Sequence, residues 1–235
     1  RIKIMEKRKT FWFRIVAIVL TFSMLFALSA CGGKVNADTD PNSIKSQELT
    51  QEQWEESFRT FSDADNFTAK INYGNESLWH GYSATFKCDG NKQYWYFDGH
   101  SEFEDKEWYF EYSTEGNVKI FYRNEDSGWD FEVRNSVGDM DGADAPLKIL
   151  GVYGLKYEDF SFETTGSFIS LIFGGRSKYY WATRVLVEEN LSLTNVQIKF
   201  VDNKPAYFKF EVDGSTFDTL FYDWGETTVN LPDVS

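Results

Sequence analysis

The chain has 235 residues with 24 Lys and Arg against 37 Asp and Glu, a formal charge of −13. Such an acidic balance excludes binding to a phosphate backbone as its function, and two cysteines exclude a CxxC zinc or redox framework. The 22 Phe, 13 Tyr and 8 Trp supply enough apolar surface for one sizeable core.

Arg1 to Ile4 precede Met5, and a start at Met5 sets Lys7, Arg8, Lys9 and Arg14 ahead of an apolar run, so the first four residues are expected not to be native. Ile15 to Ala30 carry no charge, which with the basic stretch before them has the layout of an export signal. The run falls short of the roughly 20 apolar residues of a membrane-spanning helix. It ends in Leu28-Ser29-Ala30-Cys31, which resembles the lipobox of bacterial lipoproteins. That resemblance implies cleavage before Cys31 and diacylglycerol on its thiol, hence anchoring of the chain on the outer side of the cell membrane. Two acyl chains give stable anchoring where one is marginal. Loss of residues 1 to 30 takes away six basic residues and one acidic one and leaves a charge of −18. A body so acidic is expected to be soluble and to stand away from anionic headgroups.

Residues 31 to 46 are small, polar and unpatterned, as a flexible tether would be. Thr50 and Gln53 have capping-box spacing, and Leu49 and Trp54 that of a hydrophobic staple, opening a helix with Trp54, Phe58 and Phe61 on one face. The period then falls from about 3.6 to 2. Alternation marks strands at 66–73, 82–88, 129–134 and 196–200. Further strands are expected near 93–98, 107–113, 118–123, 157–163, 179–187, 206–212, 216–222 and 227–231. Turn signals such as Asp89-Gly90-Asn91 and Asp213-Gly214 describe an antiparallel meander. A short helix is expected over 145–153, whereas 167–174 is ambiguous. The fold class is therefore α+β, mostly β: a large curved antiparallel sheet, a half-barrel, with two or three short helices covering its concave face. Residues 47–235 form its single domain.

That order, closed by Phe221-Tyr222-Asp223-Trp224-Gly225-Glu226 and Val229-Asn230-Leu231-Pro232, resembles the LolA/LppX-type lipoproteins. The resemblance implies an unclosed half-barrel with helices across its mouth and carriage of lipids or lipid-modified proteins in an apolar cavity. The residues expected to meet such a ligand are Trp54, Phe58 and Phe61 on the helix and Phe86, Phe131 and Phe200 on strands. This chain departs from such carriers in its wealth of aromatics, as in Tyr94-Trp95-Tyr96-Phe97, which would fill the cavity. An alternative is a cell-envelope module that binds glycan or protein through exposed aromatics, with Trp79, Trp95, Trp108 and Trp129 near turns or strand ends.

No catalytic residue, cofactor or metal is assigned. His80 and His100 have no nucleophile elbow beside them, and Asp139 to Asp144 lacks the spacing and closing Glu of an EF-hand loop. Cys88 shares a face with Tyr82, Ala84 and Phe86 and is expected to be a buried, inert thiol. The expected partners are the membrane, through the lipid on Cys31, and a lipid or other apolar ligand, bound by a monomer.

Overall fold

A computed structural model describes residues 34–73, 83–98, 106–124, 128–135, 155–165, 177–188 and 191–234. Lys34 to Ser235 form one compact unit. Cleavage and lipidation at Cys31, the helix at 145–153, His80, His100, Trp79 and the acidic stretch 139–144 all lie outside the described residues.

Among the described residues one α-helix, α1 (Gln51–Ser62), and eleven strands are present, and the helix opens as its residues require. Thr50 accepts from the Gln53 N–H, and the Gln53 side chain accepts from the Thr50 N–H, so two otherwise orphaned donors are satisfied. Eleven strands follow: β1 (Asn66–Tyr73), β2 (Ser83–Asp89), β3 (Lys92–Asp98), β4 (Lys106–Tyr112), β5 (Asn117–Asn124), β6 (Gly128–Asn135), β7 (Ser161–Thr165), β8 (Ser177–Glu188), β9 (Leu191–Val201), β10 (Lys204–Val212) and β11 (Ser215–Tyr222). They make one open, curved antiparallel sheet in the order β6-β5-β4-β3-β2-β1-β11-β10-β9-β8-β7. Two meanders are joined where β1 pairs with β11, so that among the described residues β6 and β7 stand outermost.

Three expectations are corrected. Tyr157–Asp159 is a 3-10 turn ahead of β7, because Lys156 starts a turn that the Phe160 N–H closes onto the Tyr157 carbonyl. Residues 227–231 form no strand. Their backbone is bonded by side chains instead, the Thr227 N–H by Asn66 and the Val229 N–H by Asp89. The third concerns the segment read as a tether.

Lys34 to Ser46 is packed along the outer face of β9 to β11. Asp40 caps a 3-10 turn at Pro41–Ser43, and Ile44 is buried, and Val35 half-buried, against Ala206, Tyr207, Leu220 and Tyr222. Lys199 Nζ donates to the Pro41 carbonyl at 2.6 Å, the Ser46 N–H donates to the Lys178 carbonyl, and the Gln47 N–H donates to the Phe200 carbonyl at 2.8 Å. Two well-placed apolar side chains hold a segment that has no periodicity to announce it.

Candidate functional site

The inner face of the sheet carries an aromatic cluster anchored by α1. Trp54 is 1% exposed and meets Phe58 and Tyr180 at 4.9 Å, Phe160 at 5.0 Å and Phe200 at 5.2 Å between ring centroids. Two helical turns on, Phe61 meets Phe221 at 5.2 Å and Phe67 at 5.6 Å, and Phe67 passes the contact to Phe86 and Phe86 to Trp95. The Tyr180 hydroxyl accepts from the Leu49 N–H at 2.5 Å and donates to its carbonyl at 3.0 Å, fixing the entry of the helix.

Five of the six residues expected to meet a ligand, Trp54, Phe58, Phe61, Phe86 and Phe200, thus stand in one packed cluster. Phe131 does not join them. Strand registers carry one face from Phe86 to Trp95, Trp108, Tyr122 and Asp130, so on β6 the inward side belongs to Asp130, Glu132 and Arg134. Phe131 pairs with Phe121 on the outer face, is 41% exposed and lies 3.8 Å beneath Lys119 Nζ. The alternation of β6 is that of the other strands with its apolar side reversed.

The helix side chains fill the inner face where they lie, but α1 is short. Its 12 residues make about 18 Å, while eleven strands spaced by about 4.8 Å span roughly 48 Å. Away from the helix, inward side chains are only half-buried against the cluster: Phe97, Val212 and Phe217 toward the turn at Asp213 and Gly214, and Trp108 and Phe110 to the side of it on β4. Trp108 and Phe217 were not singled out as inward residues from the sequence. The alternation of β4 and β11 contains them, but a strand apolar on both faces, such as Trp108-Tyr109-Phe110, does not say which side is in.

Polar groups are scarce in this interior. Burial pushes the Cys88 thiol up to about 11, with Asp65 and Asp89 adding to the rise. Trp54 Nε1, Ser57 Oγ and Trp95 Nε1 are buried without a hydrogen-bond partner. Leaving a buried donor so costs about 1–3 kcal/mol. Among the described residues no group of three or more His, Cys, Asp and Glu is placed to hold a metal ion. No described helix is long and apolar enough to cross a membrane.

A second aromatic surface lies outside, on β3 to β6. Tyr94 meets Tyr109 at 4.8 Å, Tyr109 meets Trp129 at 5.2 Å, and Lys87 and Arg123 lie over Tyr94 and Trp129. Burial, and then Glu107, push the Tyr109 hydroxyl up to about 12. A recess of about 430 Å³ lies at the helix-covered end of the sheet, lined by Arg59, Thr60, Asp65, Lys204, Trp224 and their neighbours.

These features define the class as an open aromatic half-barrel with one covering helix among the described residues. No family model and no curated protein matches the chain. Among solved structures it is similar to LprF from Mycobacterium bovis, at 11% identity and a TM-score of 0.46, over 80% of this chain and 98% of that one. It is also similar to the Mycobacterium tuberculosis lipoprotein LppX, at 9% identity and a TM-score of 0.36, over 76% and 96% of the two chains.

Proposed function

We propose that the chain is a membrane-anchored extracytoplasmic lipoprotein that binds a lipid or another apolar ligand, as a monomer and without catalysis. The observation that carries the reading is the mismatch, among the described residues, between helix and sheet: about 18 Å of helix lies on a face roughly 48 Å wide. Phe97, Trp108, Phe110, Val212 and Phe217 are left half-buried. Concave, mostly apolar surfaces with few polar groups are where small ligands bind. The lipobox at Leu28 to Cys31 supports the anchor.

The test is native mass spectrometry of residues 34–235 purified gently from bacterial cells, followed by solvent extraction. An apolar species at near-unit stoichiometry is expected, and a Trp108→Ala/Phe217→Ala double variant should retain less of it while staying folded. An empty wild-type protein that also takes up no added phospholipid or fatty acid would sink the reading.

The outer surface of β3 to β6 favours a second reading, a cell-envelope module that binds glycan or protein. There Phe131 is 41% and Val133 59% exposed. Protection of Trp129 fluorescence by soluble cell-wall glycan, with no extractable lipid, would favour it over the first.

A further inference from the structure

If Cys31 carries lipid, the distance from the bilayer to the folded body is set by where the chain is first held. Two residues, Gly32 and Gly33, separate Cys31 from Lys34, and three fully extended residue steps reach only about 10 Å. Lys34 is paired with Glu226. Val35 packs with Ile44, Tyr207 and Tyr222, and the strap that follows is bonded to Lys199, Lys178 and Phe200. Lys34 and Val35 begin beside Asp202 and Lys204, at the β9–β10 turn, and beside Trp224 after β11.

We infer that this end of the sheet rests against the lipid headgroups of the anchoring bilayer, with the strap as a rigid spacer that sets the orientation of the body. The inference rests on the lipoprotein reading and goes beyond it by naming the surface that meets the membrane.

The chemistry of the end fits a headgroup layer. Trp224 is half-buried, stacked on Phe67 at 5.1 Å, with Lys204 Nζ 5.4 Å over its ring. An aromatic body with a polar tip and a cation on a long stem are the side chains that settle where apolar and wet meet. Arg59 and Thr60 lie alongside, with Asp63 and Asp65. Across the two recesses at this end three basic residues stand among six acidic ones, a balance that disfavours an anionic surface and leaves zwitterionic headgroups as the fit.

The orientation has a consequence for the ligand. Since α1 lies at the membrane end, the half-buried aromatics Phe97 and Phe217 stand toward the end of the sheet away from the bilayer. The anchored molecule presents its uncovered face to a partner or donor outside the membrane, rather than to its own lipid leaflet.

The test uses the full lipidated chain in phosphatidylcholine vesicles doped with a lipid spin-labelled at its headgroup. A fluorophore is attached at Thr60→Cys, on the recess beside Trp224, or at Leu186→Cys, 59% exposed near the far end of β8. Leu186 stands eight residues along β8 from Lys178, about 26 Å, and Cys88 is buried and stays unlabelled. The Thr60 label should be quenched several-fold more than the Leu186 label. A twelve-residue Gly-Ser insertion between Gly33 and Lys34 should bring the two to the same level. Equal quenching with the native spacing overturns the orientation while leaving the anchor intact. Failure of the chain to float with vesicles, or flotation unchanged in Cys31→Ser, overturns the anchor reading and the orientation with it.

Discussion

Lys199 shows how much one residue can reveal that its place in the sequence hides. In Val196 to Phe200 it alternates with Ile198 and Phe200 as an outward, solvated charge would, yet it is 1% exposed, beneath the strap. Its ammonium donates to the Pro41 carbonyl, and Tyr207 lies 5.7 Å away. Burial lowers its pKa to about 8, against a smaller rise from Asp40. Below pH 8 both folded and unfolded chains hold the proton, and the fold bears the full cost of the buried charge. Between about 8 and the ordinary value of 10.5 the unfolded chain binds more protons, so stability rises with pH. The span corresponds to about 3 kcal/mol. Burial of Tyr207 raises its own pKa, so it titrates above this window. Wild-type stability relative to Lys199→Met should therefore grow between pH 7.5 and 10, read from urea midpoints. A difference that does not change with pH would show that the charge is not buried in solution.

At the scale of elements, α1 was legible and the strap was not, for related reasons. A helix of 12 residues is marginal alone in water, so its sequence must announce both its cap and its packing face. Thr50, Gln53, Leu49, Trp54 and Phe61 do so at fixed spacings. Thr50→Ala is expected to cost about 1 kcal/mol, and Trp54→Ala about 3–5 kcal/mol because it empties a fully packed site. Denaturant unfolding measures both, and near-equal losses would mean that Trp54 is not in the core. The strap has no regular period, so nothing local distinguishes it from a flexible linker. Its order depends on Val35 and Ile44 meeting a sheet face made by residues about 160 to 190 positions away. Likewise Thr227 and Val229 alternate as a strand would, but the Asn66 and Asp89 side chains take the hydrogen bonds that a neighbouring strand would have made.

For the molecule as a whole, the sidedness of β6 separates pattern from placement. Phe131→Glu should change stability by less than about 0.5 kcal/mol, as surface substitutions do, whereas Phe86→Ala should cost about 3–5 kcal/mol. A large loss at Phe131 would place it in the interior. By itself the sequence determined the strand-rich class, the four strands where the period of two is clean, the capped helix and the burial of Cys88, because period, turn residues and caps are local chemistry. Only the tertiary structure decided that β1 pairs with β11, that Phe131 faces out, that Lys34 to Ser46 is fastened down and that one helix covers part of the sheet. Each of these depends on which distant surfaces meet. A strand's alternation is the same whichever of its faces is turned inward.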